Sequence, residues 1–304
     1  MRQSTRAVLS IAILTIALLA VIFASGFVSG ASPTPCGSSV PERTEHRYAT
    51  DAGVDAIDQS LDVYSAPNTE GCPILLWVHG GSWQLGDKRS RATTVKAEHY
   101  VDQGWLFVSA NYQLASEDND IRWPDFGDDV AAAVAWTIDN AEDIGGDPER
   151  ISIIGHSSGA HLVSIVGSHP DLLARNGSNL GEVSCVVSLD SVTQDLTDPP
   201  PWEVDIIELS FPTNDQQVDG SPTLHAEAAS SFDGPEFLIV TRGRDERIDS
   251  SERLSAAINA AGGNATVADV SPYDHGEVST MLGVDGETLV TPAVDGFLNS
   301  CRTA

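Results

Sequence analysis

The stretch from Ile151 to Leu162 constrains this chain more than any other. An apolar run, Ile151 to Ile154, passes directly into Gly155-His156-Ser157-Ser158-Gly159, and a helical pattern starts near Ala160. A Gly-x-Ser-x-Gly between a strand and a helix is a turn so tight that both glycine positions must lack side chains. Ser157 then sits strained at the apex with its hydroxyl pointing out of the sheet, and it is the candidate nucleophile. The helix behind it aims its first N–H groups at the same point, which favours negative charge there. The bare pattern is weak; its position between strand and helix makes it specific.

The rest of the chain repeats that alternation. Ile74 to Val78 is continuously apolar, as are Leu106 to Val108, Cys185 to Leu189 and Phe237 to Val240. Strands without an in–out alternation are buried on both faces, as in a parallel sheet covered by helices. Helical patterns over Asp128 to Asn140, Ala160 to Ser168, Ser250 to Ala261 and Thr291 to Leu298 supply the cover. The fold class expected is α/β: a mostly parallel, doubly wound sheet with helices on both faces and ligands at the carboxyl ends of the strands. One long irregular segment, 191–234, contains Pro199-Pro200-Pro201 and reads as a short cap over the site, with a disordered insertion as the alternative.

Three further places carry chemistry. His79-Gly80-Gly81-Ser82-Trp83 follows the Ile74 to Val78 strand, and an acyl-transfer oxyanion needs preorganised N–H donors near the reacting carbon. Gly80, Gly81 and Ser82, completed by the N–H of Ser158, are the candidate donors, and Trp83 reads as packing beneath the loop. His275, late in the chain, is the candidate base that takes the proton of Ser157 and returns it to the leaving group. The acid that orients it is expected in the turn after Phe237 to Val240, where Asp245 is the first choice. Asp249, Glu246 and Asp190 are the alternatives, since a carboxylate beside Arg242, Arg244 and Arg247 also suits an ordinary ion pair. His156 and His161 are five residues apart and no HExxH occurs, so no metal and no cofactor are expected.

These motifs, together with Asn111-Tyr112-Gln113-Leu114, Asp129 with Trp136, and Gly146 to Ile151, resemble the α/β-hydrolase fold, specifically its secreted esterase branch. That branch includes feruloyl-esterase-like (BD-FAE-like), acetyl-esterase and kynurenine-formamidase-like enzymes, and the likeness covers roughly residues 45 to 300. It implies a serine hydrolase that cleaves carboxylic esters of small or medium soluble substrates through an acyl-enzyme. An amide hydrolase on the same triad, a formamidase or an exopeptidase, is the second reading, and a binding module that keeps the fold without catalysis is the third. The family commonly has His-Gly where this chain has Arg242-Gly243, which leaves the register of the acid open by a few residues.

Charge and the N-terminus place the chain. A formal net charge of -28 excludes a nucleic-acid binder or a polybasic membrane module. Residues 1–31 read as a signal peptide with a Ser29-Gly30-Ala31 cleavage site or, alternatively, as a membrane anchor, followed by a linker over 32–47 and the catalytic domain over 48–304. Both readings put the folded part outside the cytoplasmic membrane. There Cys36, Cys72, Cys185 and Cys301 can form two disulfides, with buried unpaired thiols as the alternative. Of three pairings, Cys36 with Cys72 and Cys185 with Cys301 are favoured, because each joins a terminal segment to the entry of a buried strand.

Overall fold

The computed structural model describes residues 36–38 and 40–302. The expected signal or anchor segment lies outside the described residues, and none of the described helices is long and apolar enough to cross a membrane.

Eight strands form one sheet: β1 (Glu42–Arg47), β2 (Ser60–Ser65), β3 (Cys72–Val78), β4 (Leu106–Ala110), β5 (Gly146–His156), β6 (Cys185–Leu189), β7 (Glu236–Thr241) and β8 (Ala265–Asp269). Their spatial order is β1-β2-β4-β3-β5-β6-β7-β8. The first two strands pair antiparallel, and every pairing from β4 to β8 is parallel. Each continuously apolar run became an interior strand, because its alternate residues feed two different cores. Ile74, Leu76 and Val78 pack with Val130, Val134, Leu162 and Leu254 on one face. Leu75 and Trp77 pack with Tyr100, Val101, Val294 and Leu298 on the other.

Helices α1 (Arg91–Asp102) and α10 (Val290–Cys301) therefore cover one face. The opposite face carries α2 (Asp125–Asp139), α3 (Ser158–Val166) and α8 (Asp245–Ala260). The end of the segment read as a linker is strand β1. Its sequence, Glu-Arg-Thr-Glu-His-Arg, has no apolar signal because this edge strand is exposed on both faces and is held mainly by its ladder to β2. The cap is likewise more ordered than its irregular sequence suggested, with short helices α5 (Val204–Ser210), α6 (Asn214–Asp219) and α7 (Pro222–Ala228). Between α3 and β6 lies α4 (Pro170–Arg175), and between β8 and α10 lies α9 (His275–Thr280).

Both disulfides form in the favoured pairing, Cys36–Cys72 and Cys185–Cys301. The chain's two lysines, Lys88 and Lys96, are fully buried, so arginines supply the surface cations. Lys88 belongs to an ion-pair cluster with Asp62, Glu45 and Arg89 at the β2 edge. Lys96 instead lies over the Trp77 ring and donates to the Ser279 carbonyl at 2.6 Å.

Candidate active site

Strand β5 ends in the tight turn that its glycines foretold. Ser157 has φ 58° and ψ -122°, a conformation costly for a side chain. A Cβ on Gly155 would lie 2.2 Å from the Gly159 carbonyl oxygen, and one on Gly159 would lie 2.3 Å from that of Val78. Both glycines are thus demanded by close approach of backbone to backbone. The Ser157 N–H donates to the Leu189 carbonyl at 3.0 Å, which ties the elbow to the end of neighbouring β6.

The residue after Leu189 is Asp190, and here the structure corrects the sequence reading. His275 Nδ1 donates to Asp190 Oδ2 at 2.6 Å, while its Nε2 lies 3.0 Å from Ser157 Oγ. Because a carboxylate can only accept, the proton sits on Nδ1 and the Nε2 lone pair faces the serine hydroxyl. Asp245, the expected acid, is the exposed first residue of α8 and stands in its first turn, where a carboxylate complements the helix dipole. Glu246 and Asp249 are exposed on the same helix.

Two of the arginines that suggested an ordinary ion pair for Asp245 converge on Asp190 instead: Arg242 Nε donates at 2.8 Å and Arg247 Nη1 at 3.2 Å. The Asp190 side chain is fully buried. Burial by itself pushes its pKa up, but the His275 hydrogen bond and the two guanidinium groups outweigh that and hold it below the usual carboxylate value. An acid buried this deeply stays ionised because its counter-charges are buried beside it.

Two more histidines brace the site. His156 Nε2 donates to the His275 carbonyl at 2.8 Å, and the two rings lie 4.6 Å apart. Burial, reinforced by the neighbouring His275, lowers the His156 pKa to about 3, so it works as a neutral prop. His161 Nε2 donates to the Gly220 carbonyl at 2.7 Å, which leaves Nδ1 free to accept from Trp83 Nε1 at 3.3 Å. Burial takes His161 down to about 4 and keeps that tautomer. Through His161 the cap residue Gly220 is wired to the loop after β3.

That loop, His79 to Trp83, borders the nucleophile. Gly81 has φ 132°, and Ser82 and Trp83 hold the left-handed conformation at 59° and 60°. A Cβ on Gly80 would lie 2.6 Å from the His156 carbonyl oxygen and 3.0 Å from Ser157 Cβ, so this glycine lets the loop press against the elbow. Trp83 is 2% exposed and packs edge-on to Phe211 of the cap, the packing role expected of it. Ser158 opens α3, so its N–H has no partner within the helix. Ser82, Trp83, Ser157, Ser158, Glu203 and His275 line a small, narrow cleft, which meets a larger, carboxylate-rimmed cleft at Val192.

The sheet order and its flanking helices are those of the α/β-hydrolase fold. A family model described as BD-FAE matches residues 61–194, a region that carries Ser157 and Asp190 and ends before His275. Esterase LipQ of Mycobacterium tuberculosis is 28% identical over 250 residues, which are 78% of this chain and 58% of that protein. Carboxylesterase NlhH of Mycobacterium tuberculosis is 27% identical over 248 residues, covering 76% of this chain and 75% of that one. Of the first three curated relatives the chain spans 58%, 26% and 33% of the length. Among solved structures, a hyperthermophilic esterase from the archaeon Pyrobaculum calidifontis has a TM-score of 0.67 at 19% identity, covering 87% of this chain and 86% of that one. The chain is thus similar to the BD-FAE family over residues 61–194 and to esterases over a longer stretch; the kynurenine-formamidase side of the resemblance rests on the motifs alone.

Proposed function

We propose that this chain is an extracytoplasmic serine esterase that cleaves small, soluble carboxylic esters through an acyl-enzyme. The carrying observation is the continuous line from Asp190 through His275 to the Ser157 hydroxyl, with hydrogen-bond distances of 2.6 and 3.0 Å. His275 Nε2 takes the Ser157 proton as Oγ attacks the ester carbonyl, and Asp190 stabilises the imidazolium that forms. The N–H groups of Gly81, Ser82 and Ser158 receive the oxyanion. His275 then gives its proton to the leaving alkoxide, and the same base activates the water that releases the acid.

A cleft this small favours a short acyl chain over a fatty acyl chain. The esterase names of LipQ and NlhH support the ester reading. Two disulfides and the apolar N-terminal segment support export of the folded part.

The test is hydrolysis of p-nitrophenyl acetate, butyrate and decanoate by the purified protein. Acetate and butyrate are expected to be turned over well and decanoate poorly. Ser157→Ala is expected to lower kcat by about 10⁶-fold, and undiminished turnover in that variant would end the proposal.

A further inference from the structure

His169, Asp219 and His225 take no part in the triad line. His169 caps α4 just beyond the end of α3, Asp219 closes α6, and His225 lies within α7. One donor atom from each falls within 4.8 Å of the other two. His169 is 6% exposed, and its Nδ1 has no hydrogen-bond partner among the described residues. Its Nε2 stands 3.4 Å from Asp219 Oδ1. That separation is long for a hydrogen bond. It does match the span of about 3.4 Å between two atoms bound 2.0–2.1 Å from one tetrahedral zinc.

The surroundings suit a cation as well. His225 Nε2 donates to the Asp219 carbonyl at 2.8 Å, so its Nδ1 keeps a lone pair. The two imidazoles stack with centroids 3.9 Å apart, a geometry that resists charging both. Burial, together with the neighbouring His225, lowers the His169 pKa and so favours the neutral ring that metals require. Asp219 Oδ2 accepts from Trp123 Nε1 at 2.7 Å, the kind of outer bond that fixes a ligating carboxylate. Asp219 and His225 also border an open surface cleft of about 360 Å³, which provides an entry path and room for a water ligand.

We propose that His169, Asp219 and His225 form a binding site for Zn²⁺, with water as the fourth ligand. Two imidazoles and one carboxylate select a late first-row divalent ion over Mg²⁺ or Ca²⁺. A modest turn of the half-buried His225 ring completes the set. The ion would clamp α6 and α7 of the cap to the turn beneath α3, so its role is structural. No motif announces the site, because its ligands lie 50 and 6 residues apart along the chain.

The experiment uses the full chain, stripped with a chelator and titrated with Zn²⁺ alone by calorimetry, with thermal melts alongside. One Zn²⁺ per chain is expected, with a rise in Tm of about 5 °C when free Zn²⁺ exceeds Kd about 100-fold. Cu²⁺ in place of Zn²⁺ should show coupling to two nitrogens in its electron paramagnetic resonance spectrum. Because buried His169 is risky to replace, the variants are His225→Ala and Asp219→Asn, each expected to weaken binding at least tenfold and to abolish the rise in Tm. His99→Ala, which removes an unrelated His–Asp pair, is expected to change neither. Absence of stoichiometric binding at micromolar Zn²⁺, undiminished binding in both site variants, or loss of binding in His99→Ala would overturn the proposal.

Discussion

Replacing Asp190 with Asn separates the two candidate acids, because it keeps the size of the side chain and removes its charge. The carboxylate Oδ2 takes both His275 and Arg242, and Oδ1 takes Arg247. An amide has one oxygen for these three donors. With that oxygen toward His275, the NH₂ group confronts the Arg247 guanidinium. In the flipped orientation an N–H confronts Nδ1, the ring proton moves to Nε2, and Nε2 can no longer take the proton of Ser157. Either way the imidazolium loses the negative charge that stabilises it.

The expected fall in kcat is about 10⁴-fold, or about 5 kcal/mol of transition-state stabilisation. Removing the partner of buried Arg247 also costs about 3–5 kcal/mol of stability, so circular dichroism must first show the variant folded. Asp245→Asn, by contrast, alters an exposed first-turn residue, worth at most about 1 kcal/mol of helix stability. Its kcat should stay near that of the parent. Steady-state hydrolysis of p-nitrophenyl acetate at pH 8 compares the two variants. A loss of several decades in Asp245→Asn with Asp190→Asn unimpaired would refute the assignment.

Three more outcomes are expected. Glu203 lines the cleft, and burial raises its pKa against the opposing pull of Arg247 and His275. At pH 8 Glu203→Gln should raise kcat/KM for hemisuccinate esters about tenfold relative to acetate, the order expected when one like charge is removed from a partly desolvated cleft; an unchanged ratio would contradict this. Burial lowers the Lys96 pKa from 10.5 to about 7, so between those values the unfolded chain holds the extra proton and stability climbs with pH. Lys96→Met should flatten that climb between pH 7 and pH 9.5 in urea denaturation, and an identical slope in the variant would count against the buried Lys96 amine as its source. The loops closed by Cys36–Cys72 and Cys185–Cys301 span 36 and 116 residues. On chain entropy they contribute about 4 and 5 kcal/mol, so replacing the second pair by alanine should shift the urea midpoint further.

Much of this molecule was legible along the chain because the governing forces are local. An apolar run of five residues buried on both faces can hardly be anything but an interior strand, and Gly155 and Gly159 are required by contacts within the turn they flank. Ser157 and His275 followed from that turn and from the order of motifs. Strand β1 was not legible, since an edge strand without a buried face carries no apolar pattern. Of the cap helices, α6 and α7 were missed because they are short and their sequence reads as punctuation.

The orienting acid shows where sequence stops. Asp190 and Asp245 each follow an apolar strand, and each has arginines available to it. Only the lateral order of the sheet puts the end of β6 against β5, so that Ser157 bonds to Leu189 and the next side chain reaches His275. Arg242 and Arg247 offered two guanidinium groups to whichever carboxylate lay beside them, and which carboxylate that is was a matter of strand adjacency. The cluster of His169, Asp219 and His225 has the same origin. Backbone conformation is settled by neighbours in the chain, whereas a hydrogen bond between residues 85 apart exists only once the sheet has chosen its order.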